Sequence, residues 1–148
     1  METELFLDPR LSHLSDPFLM GEMRDAVDRI FRAVDEGETV CIYGDYDVDG
    51  VTSVALLRAI LMAYDLDPQY FIPVRSREGY GLSEAGIKRC LCECADPPSL
   101  LITVDCGTSS VKEVDMLNSL GIDVIILDHH EAGPLGAPGC GGGGQCQN

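Results

Sequence analysis

Four short runs, TVCIYGD (39–45), PQYFIPV (68–74), SLLITVD (99–105) and IDVIILD (122–128), are each separated from the next by a segment with helical spacing. The first, third and fourth are continuous apolar stretches rich in β-branched residues, as in strands covered on both faces. The second is shorter and reads as a short strand. In the first helical segment, DPFLMGEMRDAVDRIFRAVDEGE (16–38), Met23, Val27, Ile30, Phe31 and Val34 recur at helix spacing, and Gly37 is a natural stop. VTSVALLRAILMAYDL (51–66) reads as an apolar helix. SEAGIKRCLCECA (83–95) opens on Ser83, a good N-cap, and SSVKEVDMLNSLG (109–121) ends at Gly121. Strand and helix alternating in this way predict an α/β fold, a parallel sheet with helices on both faces.

In open sheets of this kind ligands bind beyond the carboxyl ends of the strands. Three strands end there in acidic groups: Asp45-Tyr46-Asp47-Val48-Asp49-Gly50, Asp105 with Cys106-Gly107, and Asp128-His129-His130. Carboxylates gathered at one edge repel one another unless cations neutralise them. Carboxylates with an imidazole suit Mn²⁺ or Mg²⁺, the histidine favouring Mn²⁺. Gly50 fits a tight turn, after which Thr52 and Ser53 are expected to open a helix whose N-terminus favours phosphate. Each motif also has a plain reading. Asp-x-Asp-x-Asp can be a solvated turn, although Gly50 directly after the third aspartate and the lack of a Glu at loop position 12 argue against a calcium loop. Asp105 can cap a helix, and a His-His pair is commonly a surface feature. The coincidence of all three at strand ends favours a site.

Composition narrows the partners. A net charge of −15, from 25 acidic and 10 basic residues, argues against a bare nucleic-acid-binding surface. Part of that charge read as a cation site leaves a phosphate-bearing substrate open. No apolar run approaches the roughly 20 residues of a membrane span. METELFLDPRLSHL has no basic stretch leading into an apolar one, so no secretory signal is expected and the cytoplasm is the default compartment. Seven cysteines without an export signal argue against a disulfide framework. CLCEC (90–94) lies on a helix where Cys90 and Cys94 share a face and Cys92 does not, and these cysteines read as small buried or half-buried thiols.

GDYDVDGVTS, ITVDCG and ILDHH resemble the first three motifs of the DHH phosphoesterase superfamily. DPFLMGEMRDAVDRI and IPVRSREGYGLSEAGI are similar to segments of its single-strand-specific DNA exonuclease branch, and the likeness covers about residues 5–133. The resemblance implies metal-dependent 5′→3′ hydrolysis of single-stranded DNA in repair and recombination, with water attacking phosphorus. It implies Asp47 and Asp49 as metal ligands, Asp105 bridging two ions, His129 on one of them and His130 at the scissile phosphate. Asp45 and Asp128 would be further ligands or groups that orient them, and Arg75 and Arg77 would meet DNA phosphates unless they are merely solvated. A small-substrate phosphodiesterase, for oligoribonucleotides or cyclic dinucleotides, is the alternative; Gly44-Asp45-Tyr46 stands where those relatives place a histidine. A non-catalytic remnant on the same fold is another. The superfamily also carries a further metal-binding aspartate downstream and a second domain. EAGPLGAPGCGGGGQCQN (131–148) holds no aspartate, so the chain is expected to be an N-terminal part with little nuclease activity alone. Its domain is expected at 1–133, with 134–148 a disordered or artefactual tail.

Overall fold

A computed structural model of the chain describes residues 7–8, 10–131 and 145–146. Two short 3₁₀ turns, Leu11–His13 and Pro17–Leu19, lead into α1 (Met23–Glu36), β1 (Val40–Gly44), α2 (Val48–Ala63), β2 (Gln69–Phe71), α3 (Arg75–Glu78), α4 (Glu84–Glu93), β3 (Leu100–Val104), α5 (Val111–Ser119) and β4 (Asp123–Leu127). The sheet is wholly parallel, in the order β2-β1-β3-β4, and a two-residue β5 (Gln145–Cys146) pairs alongside β4. The expected disordered tail falls otherwise on residues outside those described.

Strand periodicity sends alternate side chains to opposite faces. Val40, Ile42, Leu100, Ile102 and Ile125 pack against Ala26 and Ala33 of α1 and Val54 and Leu61 of α2. Cys41, Tyr43, Leu101, Val124 and Ile126 pack against Ile87 and Cys90 of α4 and Val114 and Leu117 of α5. The sheet is thus sandwiched between helices, as the alternating pattern predicts. Ser83 caps α4 by accepting a hydrogen bond from Gly86 N at 3.1 Å. Gly37 ends α1 in the left-handed region at φ 63°.

The helical spacing over 23–34 holds: Ile30 and Val34 pack on the sheet beside the buried Ala26, Arg29 and Ala33, while Phe31 lies on an exposed edge and meets Tyr64 ring to edge at 5.4 Å. One local expectation is corrected. The helix after β1 does not open at Thr52 and Ser53. It begins at Val48, because the Asp47 side chain accepts hydrogen bonds from Asp49 N (3.0 Å) and Gly50 N (3.1 Å) and so caps it. Gly50 therefore sits in a helical first turn, not in a turn ahead of it. A Cβ there would lie 2.6 Å from the Asp45 backbone nitrogen, so only glycine lets α2 start this close to the end of β1.

Arg29 is 4% exposed and ties the opposite, N-terminal edge of the sheet together. Its guanidinium reaches both Glu38 oxygens, at 3.0 and 2.8 Å, and Asp123 Oδ2 at 2.6 Å, while Ser99 Oγ donates to Glu38. Leaving Glu38 without that partner should cost about 3 kcal/mol, the scale for breaking a buried ion pair. The Arg29 hydrogen bond is the main reason the Glu38 pKa is lowered from its usual 4.5. A lowered folded-state pKa gives stability that is present above the unfolded value and lost as pH falls below it. Arg29→Ala should therefore lower urea-derived stability at neutral pH by that amount, and the gap from the parent should narrow below about pH 4.5. An equal gap at pH 7 and pH 3 would mean that Arg29 acts through packing alone.

Candidate metal centre

Register brings the acidic groups into line. Gly44 pairs with Val104 and Val104 with Leu127, so the next residues, Asp45, Asp105 and Asp128, follow one another across the carboxyl edge of three adjacent strands. The first pair flanks the point where strand order reverses: the chain leaves β1 outward to β2 and then crosses back to β3. Such switch points open a crevice for ligands.

Asp45 is 1% exposed, and neither of its carboxylate oxygens has a hydrogen-bond partner among the described residues. A buried polar group normally finds a partner, and a buried charge needs one more. Asp45, Asp47 and Asp105 each offer an oxygen, and these oxygens lie within 4.8 Å of one another. Asp105 also belongs to a second cluster of that size with His129 and His130. His129 Nε2 stands 3.1 Å from Asp105 Oδ1. Asp105 has φ 62°, a conformation uncommon for a residue other than glycine and often found where a site imposes it. Burial, together with the carboxylate of Asp47, raises the Asp105 pKa, while the Gly50 N–H helps to hold that of Asp47 below the usual range. One carboxylate thus resists ionising beside the other, the signature of anions lacking a counter-charge.

The pair Asp128 and His130 is differently organised. The Asp128 carboxylate accepts hydrogen bonds from Thr108 N (3.0 Å) and His130 N (3.1 Å), and it lies 2.7 Å from His130 Nδ1. Burial works against its charge, but these bonds outweigh it and leave its pKa lowered. In return, the Asp128 hydrogen bond raises the His130 pKa against the effect of burial. Tyr80 Oη lies 3.2 Å from His130 Nε2, so both ring nitrogens are engaged. His129 is the more accessible imidazole, while His130 is held in orientation.

Asp49 stands apart from both three-residue clusters. It is exposed in the first turn of α2 and lines, with Thr52, Ser53, Asp105, Asp128 and His129, a cleft of about 410 Å³ at the same edge. Arg75 and Arg77 lie on the single turn α3 rather than in an open loop. Arg75 donates to Tyr46 Oη at 2.7 Å, and the Tyr46 ring meets that of Tyr80 at 6.4 Å. Arg77 is exposed and makes no ion pair among the described residues. Sequence reasoning missed Tyr46 and Tyr80, which link Arg75 to His130. Their positions within GDYD and EGYGL are the signal that could have found them.

The donor set, carboxylates with one accessible imidazole, fits a hard divalent cation such as Mn²⁺ or Mg²⁺, and the unpartnered oxygens of Asp45 are where such a charge is wanted.

Comparison with known proteins agrees with this geometry. The DHH family, N-terminal domain, matches residues 39–138. The single-stranded-DNA-specific exonuclease RecJ of Bacillus subtilis is 44% identical over 130 residues, 88% of this chain and 16% of that protein. RecJ of Thermus thermophilus is 38% identical over 133 residues, 90% of this chain and 19% of that protein. A crystal structure of exonuclease RecJ bound to manganese superposes with a TM-score of 0.75 at 33% identity, covering 85% of this chain and 32% of that one. RecJ from Thermus thermophilus in complex with Mn²⁺ gives 0.68 at 32% identity, covering 90% and 18%. The chain therefore spans less than a fifth of the length of these two curated relatives.

The isolation of Asp45 makes a sharp expectation. In chelator, Asp45→Asn should melt above the parent, because an unpaired amide costs less to bury than an unpaired carboxylate. With millimolar Mn²⁺ the order should reverse, since the parent gains more from the ion. Thermal scans of both proteins under both conditions check this. A lower melting point in chelator with an undiminished response to Mn²⁺ would mean that the fold, not a cation, holds Asp45 in place.

Proposed function

The chain belongs to the DHH family, and from that premise we propose that it supplies the metal-binding DHH site of a Mn²⁺-dependent exonuclease acting on single-stranded DNA. The observation that carries this reading is Asp45, a buried carboxylate with no hydrogen-bond partner among the described residues, clustered with Asp47 and Asp105 beside His129. The two manganese-bound RecJ structures it resembles support Mn²⁺ as the ion, and its curated RecJ relatives support single-stranded DNA as the substrate.

In this reading Asp45, Asp47, Asp105 and His129 hold the metal. Asp49, at the lip of the cleft, joins them through water or through a small shift of its exposed side chain. Bound there, divalent metal supplies a lowered pKa for the attacking water and neutralises charge on the phosphoryl group. His130, oriented by Asp128 and with its Nε2 beside Tyr80, presents a ring nitrogen to a phosphate oxygen. Asp128 fixes the orientation of that ring. Arg75, held through Tyr46, and Arg77 meet the flanking phosphates.

The function is tested by a chimaera in which residues 39–131 replace the matching segment of the Bacillus subtilis relative. Folding is confirmed by circular dichroism, and the protein is incubated with Mn²⁺ and 5′- or 3′-labelled single-stranded oligonucleotide or a dinucleotide. Digestion of the oligonucleotide from its 5′ end is expected, with a loss of at least 100-fold in His129→Ala, in keeping with the several kcal/mol that metal activation contributes. A folded chimaera that cleaves the dinucleotide in preference, or whose activity survives His129→Ala, overturns the assignment.

A further inference from the structure

A second cluster of metal-ligating side chains lies inside the domain, away from the acidic edge. Cys90 and Cys94 are one helical turn apart at the end of α4, Cys94 being its C-cap residue. Cys41 projects from β1 on the face that α4 covers. Cys41 Sγ is 3.5 Å from Cys90 Sγ and 3.9 Å from Cys94 Sγ, and all three sulfurs lie within 4.8 Å of one another. Cys92, between them in sequence, is exposed and takes no part. Buried free cysteines are common, but three that converge on one point from two elements are a different arrangement.

The spacing has a chemical meaning. A tetrahedral zinc ion with Zn–S bonds of about 2.3 Å sets its thiolates about 3.8 Å apart. The two distances from Cys41 lie on either side of that value. The donors are uniformly soft, with no carboxylate or imidazole among them, unlike the oxygen-rich edge above β1 and β3. Cys41 and Cys90 are buried, and Cys94 is half exposed, so an ion would enter from the Cys94 side.

We propose that Cys41, Cys90 and Cys94 form a three-thiolate site for a thiophilic cation, Zn²⁺. Binding is proton exchange without redox: three S–H bonds break, three protons go to solvent, and three sulfur–metal bonds form. The occupied cluster then carries −1 with Zn²⁺. A fourth position, on the open side, is left for water. Such an ion pins the end of α4 to β1, at a residue four before Asp45, which directly follows that strand, and stabilises the fold by mass action.

Co²⁺ reports on the site, because only thiolate ligands give it an intense near-ultraviolet charge-transfer band, which the acidic edge cannot produce. With the acidic edge kept occupied by excess Mn²⁺, anaerobic Co²⁺ titration of the reduced chain should show the band saturating at one equivalent and bleached by Zn²⁺. Cys94→Ser, at the half-exposed position, should weaken Co²⁺ at least tenfold while retaining the circular dichroism of the parent. Cys90→Ser should do the same. A variant with Cys92, Cys140 and Cys146 all changed to serine should keep the band. No band in the reduced parent, a band that survives in folded Cys94→Ser, or one lost in the triple variant overturns the site. A band that excess Zn²⁺ does not bleach overturns the choice of ion.

Discussion

The pairing of Gly44 with Val104 and of Val104 with Leu127 is the constraint on which the rest depends. It brings three strands to their carboxyl ends at the same level, so that the residue after each is an aspartate. Since side chains alternate along a strand, a slip of one residue in either pairing would turn one of these carboxylates to the other face. The hydrophobic sets on the two faces guard against that slip. A shifted β3 would exchange Ile102 and Leu101 between two cores packed by different helices. The core thus determines the geometry of the acidic edge without touching it.

The two edges of the sheet treat charge in opposite ways. At the amino edge, Arg29 answers Glu38 and Asp123 at hydrogen-bonding distance and ties α1 to three strands. At the carboxyl edge Asp45 has no hydrogen-bond partner among the described residues, Asp105 takes up a left-handed backbone, and the carboxylates of Asp47 and Asp105 oppose each other. Unsatisfied groups and strained backbone persist only where the surrounding structure over-determines them. The satisfied edge and the two apolar layers provide that excess. A domain folded this way can present anions to a cation without rearranging when the ion arrives.

Much of this was legible in the chain because it is written locally. Continuous β-branched runs marked the strands, Ser83, Gly37 and Gly121 marked helix ends, and the aspartates stood just past strand ends, where parallel topology alone puts them together. What escaped was decided by competition or by distance in sequence. Asp47 reads as one of three equivalent carboxylates, yet its side chain also suits an N-cap, and capping drew the start of α2 back to Val48. Arg29 looks like part of a polar helix face, and its burial depends on Asp123, 94 residues away. Cys90 and Cys94 were seen to share a face, but Cys41 lies 49 residues before Cys90 on another element, so nothing in CLCEC pointed to it. The one-turn α3 was too short to carry a period at all.

The charge balance closes the argument about substrate. A chain of net charge −15 repels DNA at long range, so any attraction has to be local. Arg10, Arg29, Arg32, Arg58, Lys88 and Arg89 are each paired with a carboxylate. Among the described residues Arg24, Arg75, Arg77 and Lys112 make no ion pair, and of these Arg75 and Arg77 sit on the turn that Tyr46 and Tyr80 connect to His130. The acidic edge and this small cationic turn therefore lie side by side. Divalent ions bound at the edge would offset most of its negative charge beside that cationic turn. Under the proposed function, metal loading at the edge would also ease the approach of a phosphate backbone, which would couple substrate binding to metal binding.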